Sequence, residues 1–367
     1  MVGAGVCGLS AALQLQRRGR KVIVVDRGGL ACGASSRNAG FLMRGAAENY
    51  FLACHEMGRE RAALVWKWTE ENLEGLRSEG IERLDSYQRV PSCLLAMDEE
   101  ELDQLRRSES MLREDGFEVA WVDRGDDAAW ATGKPLGGLL NPRDAGCNPW
   151  DVMRHLASRL EAPVYEHQEV ISIDDSGAGA VSVRMTDGDI RAGRVLLCTN
   201  AYAGLLAPSL AGIVSPRRGQ MVALRAPGIR LDCSYYANHG YDYFRQAADG
   251  TIAVGGRRNQ FLEQEVGYED ATPENIQASL LDLASNTLGL APDGFEILAR
   301  WSGTMGFSPD GLPLVGPVLR DWGSGRVWFC GGFTGHGMSM AYRTAACAID
   351  AMLLGAENPL PLARAGV

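Results

Sequence analysis

Apolar and polar positions repeat with different periods along the chain, and these periods predict both helices and strands. Leu9, Ala12 and Leu13 recur at helical spacing, and the following run KVIVVD, residues 21–26, has the near-continuous apolar character of a buried strand. Small and apolar residues at helical spacing also fill MSMAYRTAACAIDAML, which begins at Met338. The two ends of the chain therefore predict helices packed on a buried sheet.

Between Arg218 and Arg300 the pattern changes to short, β-rich segments. Residues 243–246 and 251–254 flank AADG, whose Asp-Gly pair is typical of a hairpin turn. Residues 235–244, YYANHGYDYF, are the most aromatic part of the chain, and alternation places about half of these rings on the packed face of a sheet. The middle of the chain thus predicts an antiparallel sheet. In contrast, EEELDQLRRSESMLREDG predicts a solvated amphipathic helix.

Length and composition describe a folded chain of two domains. At about 150 residues per domain, 367 residues predict two domains rather than one. Apolar residues make up 46% and charged residues 22%, which excludes a disordered or fibrous chain. Glycine is over-represented, with 45 residues against a usual share of roughly 7%, so many backbone positions require a positive φ or a close approach.

Charge and cysteine content narrow the possible partners. Acidic residues outnumber basic ones by 46 to 36, and this net charge of −10 argues against nucleic acid or another polyphosphate as the partner. The nine cysteines form no C-x-x-C pair, so neither a disulfide framework nor a metal site is predicted, and a cytoplasmic location fits best. No apolar run approaches the ~18 residues of a transmembrane segment.

A dinucleotide-binding motif opens the chain. Gly3, Gly5 and Gly8 form G-x-G-x-x-G ahead of the predicted helix and strand, and Asp26 ends that strand. The glycines allow a tight turn and let a pyrophosphate approach the helix N-terminus, whose free N–H groups and dipole favour anions. The Asp26 carboxylate can accept hydrogen bonds from a ribose. The alternative is a glycine-rich turn in an ordinary βαβ unit.

The strand that should precede this motif is short, because only Met1 and Val2 stand before Gly3. We expect a first strand that is truncated, either because the start lies inside the natural reading frame or because the gene product is shortened. An in-frame stop codon immediately upstream of Met1 would exclude the first explanation.

Seven further segments carry a family resemblance. They are GASSRNAG from Gly33, CHEMGRERAALVWKW from Cys54, Asn148-Pro149 after GGLLNPRDAG, TNAY from Thr199, RGQM from Arg218, TMGFSPDGLPLVGP from Thr304 and GGFTGHGM from Gly331. Through these segments the chain resembles the D-amino-acid oxidase superfamily of FAD-dependent amine oxidoreductases over nearly its whole length. The gamma-glutamylputrescine oxidase branch looks closest, with glycine and sarcosine oxidase-like enzymes also similar.

The resemblance implies an α/β fold in which a Rossmann-like FAD-binding domain is interleaved with an antiparallel-sheet substrate domain. It places the FAD-binding domain at residues 1–87, 141–213 and 300–367, and the substrate domain at residues 88–140 and 214–299. The residues expected to contact FAD are Gly3, Gly5, Val6, Gly8, Asp26, Arg27, Ser35, Ser36, Arg37, Asn38, Ala39, Gly40, Val170, Thr199, Gly332, Gly335, His336, Gly337 and Met338.

The segment GGFTGHGM also has a physical interpretation of its own. FCGG indicates the end of a strand and a helix follows, so Gly335 to Met338 would direct backbone N–H groups and a positive helix end at a ligand. A reduced flavin carries negative charge around N1 and C2=O, which such a helix start stabilises. No second G-x-G-x-x-G follows a strand, which disfavours a reductase that binds both FAD and NADPH.

Two positions bear on how the flavin is held. The resemblance places Gly303 where some relatives carry a cysteine for covalent attachment, and Asn38 where others carry a histidine. Neither side chain can form the bond, so we expect FAD to be noncovalent.

Four residues are the candidates for the catalytic end of the site: Tyr241, Arg245, Met305 and His336. We expect Tyr241 and Arg245 to face the pocket from the aromatic sheet, with sheet packing as the alternative. His336 lies inside the flavin motif, where it either approaches the flavin ring or only contacts backbone. Met305 stands where amino-acid-oxidising relatives carry an arginine that holds the substrate carboxylate, which weakens the case for an amino-acid substrate.

Other residues leave the identity of the substrate and of the electron acceptor open. Arg44, Arg245 and Arg300 are candidates to supply the missing positive charge. Ala253 stands where some relatives carry a lysine that promotes the reaction with oxygen. The acceptor is therefore O₂ or, as this departure favours, a quinone or another carrier.

Together these features predict an FAD-dependent oxidoreductase that oxidises the C–N bond of a small amine or amino acid. The resemblance implies hydride transfer to flavin N5 and an imine that water hydrolyses, with a desolvated pocket favouring the neutral amine. One alternative is a D-amino-acid dehydrogenase-like enzyme that passes electrons to a quinone or carrier. Another is a non-catalytic flavin-binding protein that results from N-terminal truncation. A tRNA-modifying oxidase is disfavoured by the acidic charge.

Overall fold

A computed structural model describes residues 1–46, 48–126, 134–177, 179–291 and 294–366. Part of the segment 88–140, predicted for the substrate domain, thus lies outside the described residues. The described α-helices are α1 (Val6–Arg17), α2 (Tyr50–Met57), α3 (Arg59–Ser78), α4 (Glu99–Glu114), α5 (Pro149–Ser158), α6 (Ala203–Leu206), α7 (Glu274–Leu288) and α8 (Gly337–Leu354). Within the described residues, no helix combines the length and apolarity that crossing a membrane requires.

Helix α1 forms where the sequence predicts it. Its apolar positions Leu9, Ala12 and Leu13 are buried, and the helix packs along α8, which carries the small residues of the C-terminal pattern. Arg17 in the last turn complements the negative end of the helix dipole. The two predicted terminal helices therefore form one layer.

The sheet beneath these helices is parallel where it meets the glycine motif. Its strands are β1 (Val24–Val25), β7 (Val164–Tyr165), β11 (Val195–Leu197), β17 (Leu314–Pro317) and β18 (Val327–Gly331). Strands β1 and β7 pair in parallel, as do β11 and β18, whereas β17 is antiparallel to β18. Val2 forms parallel bridges to Val25 and Leu197, so it connects the two parallel pairs at the centre of the sheet.

A second, larger sheet is almost entirely antiparallel. Its eight described strands follow the order β16 (Glu296–Phe307), β12 (Ser215–Arg225), β15 (Ile252–Gly256), β14 (Asp242–Gln246), β13 (Ser234–Ala237), β3 (Ser92–Ala96), β5 (Gly137–Asn141) and β4 (Ala120–Asp123). Among them, β13 and β3 form the parallel pair. The predicted hairpin is confirmed, because β14 and β15 pair antiparallel around Ala247–Gly250. Helix α7 packs on β12 and β15.

Two small antiparallel sheets complete the fold. One consists of β8 (Val170–Asp174), β9 (Val181–Met185) and β10 (Gly188–Ala192), and the other of β2 (Phe41–Leu42) and β6 (Ala145–Gly146). The parallel sheet with the glycine motif and the large antiparallel sheet confirm the predicted α/β fold class, whereas the residue boundaries of the two domains stay a prediction.

Helix α4 departs from its predicted solvation. It is amphipathic, but Glu101 and Glu109 on it are buried. The Glu101 carboxylate accepts hydrogen bonds from the backbone N–H groups of Met97 and His239, at 2.9 and 2.7 Å. The helix therefore uses one of its charges to hold the loop between β13 and β14, which periodicity alone does not reveal.

Candidate functional site

The glycine turn at the start of α1 is packed so closely that side chains do not fit. A Cβ on Gly8 would lie 1.9 Å from the carbonyl oxygen of Gly3, and a Cβ on Gly3 would lie 2.7 Å from the carbonyl oxygen of Cys198. Gly3 also has a φ of +107°, which favours glycine. The turn thereby brings the backbone N–H groups at the start of α1 to the surface of a large cleft.

Polar side chains from the next strand and loop support this turn. The Asp26 carboxylate, just after β1, accepts hydrogen bonds from the N–H groups of Ala4 at 2.7 Å and Gly28 at 2.9 Å. The Ser35 hydroxyl accepts one from the N–H of Val6 at 2.9 Å. Asp26 and Ser35 both line the cleft. We call this part of the cleft the nucleotide end, because the glycine motif predicts that a ribose and a pyrophosphate approach it.

The loop 33–40 is braced by its own side chains. Asn38 donates to the carbonyl oxygens of Ala34 and Ser35 and accepts from the N–H of Gly40. The Arg37 guanidinium donates to the carbonyl oxygen of Ser302 at 3.2 Å and forms an ion pair with Asp270. The charge of Arg37 is thus engaged by the large sheet and its neighbouring loop, although Arg37 still lines the cleft.

Most residues predicted to contact FAD lie on this single cleft of about 1050 Å³. Those that line it are Gly3, Gly5, Val6, Asp26, Arg27, Ser35, Arg37, Asn38, Ala39, Val170, Thr199, Gly335, His336, Gly337 and Met338. Four others do not line it and act through packing or the turns: Gly8, Ser36, Gly40 and Gly332. Gly40, for example, has no room for a Cβ, which would lie 1.9 Å from the Cys147 carbonyl oxygen.

Three cysteines lie together beneath the glycine turn. The Cys7 sulfur is 3.3 Å from the Cys330 sulfur and 3.5 Å from the Cys198 sulfur. Cys7 and Cys198 border the cleft, whereas Cys330 is completely buried. The contact with Cys7 and burial raise the pKa of the Cys198 thiol, so these sulfurs stay protonated and pack as small apolar groups.

The start of α8 also lines the cleft. Thr334 and Gly335 take positive φ angles of 48° and 85°, which turn the chain from β18 into the helix. His336 is the N-cap residue, and its Nδ1 lies 3.0 Å from the Thr334 carbonyl oxygen. Burial lowers the pKa of His336, so its ring is neutral near pH 7. The helix start therefore presents a positive dipole end and a neutral imidazole.

Aromatic and sulfur-containing side chains line another part of the cleft, which we call the far end. The Phe41 ring is 5.0 Å from the Tyr236 ring, and the Tyr236 ring is 5.6 Å from the Tyr243 ring. Burial raises the pKa of Tyr243 to about 12 and also raises that of Tyr236. Met305, on β16, lines the cleft beside the loop that precedes α8. This end is accordingly apolar and its phenols are uncharged.

The structure places three of the four catalytic candidates on the cleft, and the expectation for Arg245 is wrong. Tyr241, Met305 and His336 line the cleft. Arg245 is 3% exposed, and its guanidinium donates to the carbonyl oxygens of Ala39 at 2.6 Å and Cys147 at 2.7 Å. Those carbonyl groups cover the side chain, so it holds the segments around β2 and β6 and does not reach the cleft.

The other two arginines suggested for substrate charge are also engaged elsewhere. Arg44 is buried and pairs with Glu70 at 2.8 Å and Asp144 at 3.7 Å, and Arg300 pairs with Glu274 at 3.5 Å. Neither lines the cleft. Sequence reasoning missed a different arginine, Arg258, which follows β15, does line the cleft and is half-buried there.

A loop that we call the strap, residues 265–271, joins the two walls of the cleft. Its Tyr268 ring stacks on Tyr202 at 5.3 Å, and the Arg27 guanidinium lies over the same Tyr202 ring at 3.9 Å. Asp270 accepts a hydrogen bond from the Ser302 hydroxyl at 2.7 Å, in addition to its ion pair with Arg37. The contacts with Tyr202 and Arg37 fasten a loop of the antiparallel side to the nucleotide side.

These features fit FAD. The glycine turn leaves space for a pyrophosphate, and the start of α8 lies in the same cleft for the flavin ring. The Thr199 hydroxyl, whose residue lines the cleft, is buried and has no hydrogen-bond partner among the described residues. A polar ligand would supply that partner.

Comparisons with known proteins agree with this geometry. A family model described as DAO, FAD dependent oxidoreductase, matches residues 1–351. Gamma-glutamylputrescine oxidoreductase of Escherichia coli is 24% identical over 93% of this chain and 80% of that protein. Glycine oxidase of Geobacillus kaustophilus is 26% identical over 86% of this chain and 83% of that protein. The crystal structure of that glycine oxidase has a TM-score of 0.81 at 23% identity, covering 99% of this chain and 96% of that chain.

The comparisons confirm the resemblance that the sequence motifs carry and the prediction of an FAD-dependent oxidoreductase. The family model covers the glycine turn, the loop 33–40, β16 and the start of α8, which are the elements that build the cleft. This chain therefore belongs to the DAO family of FAD dependent oxidoreductases.

Proposed function

We propose that this protein uses noncovalently bound FAD to oxidise the C–N bond of a small amine or amino acid. The observation that carries the proposal is one continuous cleft with the glycine turn at its nucleotide end and Tyr236, Tyr243 and Met305 at its far end. When bound, FAD supplies the two-electron acceptor for this oxidation. A gamma-glutamylputrescine oxidoreductase and a glycine oxidase among the relatives support this class of substrate.

The residues at the far end favour a substrate amine in its neutral form. Tyr236 and Tyr243 are uncharged, and the apolar wall that they form disfavours an ammonium ion. His336 is neutral near pH 7, so it does not repel a positively charged substrate on entry. The dipole at the start of α8 stabilises negative charge that develops beside it. The chain thus acts mainly by positioning and by excluding water.

Two features support noncovalent attachment. Gly303 lines the cleft without a side chain, and the Asn38 side chain is fully used within its own loop. Acid precipitation should leave a colourless protein pellet and a yellow supernatant. A yellow pellet would contradict this part of the proposal.

The electron acceptor is O₂ or, as Ala253 favours, a quinone or another carrier. The proposal also includes a cytoplasmic location. Ala253 lies in β15, packed on the Tyr243 side of the large sheet. Rapid mixing of the reduced protein with air-saturated buffer and, separately, with a soluble quinone compares the two acceptors. Faster reoxidation by the quinone supports the dehydrogenase, and faster reoxidation by air supports the oxidase.

The decisive experiment is anaerobic reduction by a substrate panel. The flavin-loaded protein is mixed with polyamine derivatives, N-methyl amino acids and D-amino acids, and the loss of flavin absorbance is followed. We expect at least one class to bleach the flavin and to yield a carbonyl product. A protein that dithionite reduces but that no amine or amino acid reduces would refute the proposed function.

A further inference from the structure

Arg258 is a charged side chain in the cleft without a charged partner. It begins the short 3-10 helix Arg258–Gln260 after β15, and its guanidinium carbon lies 4.5 Å from the centre of the Phe307 ring and 5.4 Å from that of Tyr241. Within the described parts of the chain, the guanidinium forms neither a hydrogen bond nor an ion pair. Burial lowers the pKa of Arg258, yet an arginine remains charged at neutral pH.

The acidic residues around Arg258 are committed to other groups. Asp242 pairs with the neighbouring Arg257 at 3.3 Å. Glu265 is 1% exposed, pairs with Arg218 at 3.6 Å and accepts hydrogen bonds from the Gln220 amide at 3.2 Å. The guanidinium groups of Arg257 and Arg218 thus have acidic partners, whereas that of Arg258 is available to a ligand.

A half-buried guanidinium without a partner is unfavourable unless a ligand compensates it, because burial removes part of its hydration. Its planar fork of N–H donors matches a carboxylate in a bidentate arrangement. The contacts with Phe307 and Tyr241 hold the fork on the same wall as Met305. Phe307 and Met305 are alternate residues of β16, so both face the cleft.

We propose that Arg258 is the anion anchor of the substrate site, and that the substrate carries a carboxylate as well as the amine that is oxidised. This inference rests on the proposed function and narrows it to amino-acid-type substrates over simple polyamines. It also explains how the chain can hold a carboxylate although Met305 offers no charge, since the positive group comes from the turn after β15.

The test uses binding without turnover, so that it stands apart from the proposed function. The FAD-loaded protein is titrated separately with benzoate and with benzamide, which has the same shape but no charge. The change in flavin absorbance gives the dissociation constant of each ligand. We expect benzoate to bind more tightly than benzamide, and Arg258→Met to weaken benzoate on the order of 10- to 100-fold, with Arg258→Lys between the two. Benzamide binding should change little.

Arg217→Met is the matched control, because Arg217 lies near enough to lower the pKa of Arg258 but does not line the cleft. It should change benzoate affinity less than about threefold, as expected for a partly exposed charge. Equal weakening in Arg217→Met and Arg258→Met, or equal binding of benzoate and benzamide by the unmodified protein, would overturn the proposal.

Two further outcomes separate the possibilities. If Arg258→Met loses its FAD on gel filtration while Arg217→Met keeps it, Arg258 belongs to the cofactor site and the anchor is refuted. If benzoate binds through Arg258 but nothing in the amine panel reduces the flavin, the proposed function fails and the anchor stands. With a reducing substrate in hand, Arg258→Met should raise KM far more than it lowers kcat.

Discussion

The strap offers a direct test of how the cleft retains its cofactor. Tyr268 and Asp270 line the cleft and fasten the strap to Tyr202 and Arg37 on the other wall, and Asp270 also holds the strap to Ser302 on β16. An FAD molecule lying between these walls leaves only after such contacts separate. The double variant Tyr268→Ala, Asp270→Asn removes them and should therefore speed FAD release.

The free energies of these contacts give the expected increase in the rate of FAD release. A stacked aromatic pair contributes about 0.5–1.5 kcal/mol, and an exposed ion pair contributes about 0.2–1 kcal/mol. The hydrogen bond from the Ser302 hydroxyl to Asp270 adds about 1 kcal/mol. Because both side chains of the Arg37–Asp270 pair are more than a third exposed, we take the lower part of that range. A total of about 2 kcal/mol corresponds to a release rate about 30-fold higher.

The assay follows the rise in free flavin fluorescence after dilution of the loaded protein, with thermal unfolding recorded in parallel. Asp282→Asn, an exposed carboxylate on α7 outside the cleft, is the control and should release FAD at the original rate. A double variant that unfolds at the original temperature and releases FAD within threefold of the original rate would refute the role of the strap.

Three other substitutions test the site and the fold. Gly8→Ala puts a methyl carbon 1.9 Å from a backbone carbonyl oxygen, so we expect the purified variant to lack flavin absorbance, whereas Gly212→Ala, which meets nothing within 4 Å, should retain it. Because burial raises the pKa of Tyr243 to about 12, this phenol stays protonated below about pH 10. Tyr243→Phe should therefore leave the alkaline side of the pH profile of the flavin-reduction rate unchanged. A shift in the pH midpoint of that alkaline side would contradict this. Glu79 is completely buried and accepts from the Tyr342 hydroxyl and two partly exposed arginines, so Glu79→Ala should lower the free energy of unfolding in urea by about 2 kcal/mol; a loss below about 0.5 kcal/mol would show that the network is not stabilising.

Local patterns predicted the elements that depend on neighbouring residues. The glycine turn, α1 and the β14–β15 hairpin each follow from spacing within about twenty residues, and each forms where predicted. The position of Met305 on the cleft followed from the family resemblance, because proteins of one family share the tertiary structure that brings this residue there.

Long-range contacts explain what sequence reasoning missed. Alternation along β14 places Arg245 on the same face as Tyr243, but carbonyl groups of Ala39 and Cys147, distant in sequence, cover the arginine. Arg257 and Arg258 are adjacent in the sequence, but Asp242 pairs with the first, whereas the second lines the cleft. Nothing in the local sequence could have pointed to Arg258, because the fold brings the nearby acidic residues, Asp242 and Glu265, to this turn.

The three packed cysteines have a consequence for how the protein can be studied. Cys330 is completely buried against Cys7 at the base of the glycine turn, so a thiol reagent dissolved in water reaches it only when that region opens locally. Cys32 is exposed on the same cleft and supplies a reference rate within the same molecule. The ratio of the slow labelling rate of Cys330 to the fast labelling rate of Cys32 therefore measures how often the nucleotide end opens. A bound dinucleotide should lower that ratio, and the measurement needs no introduced probe.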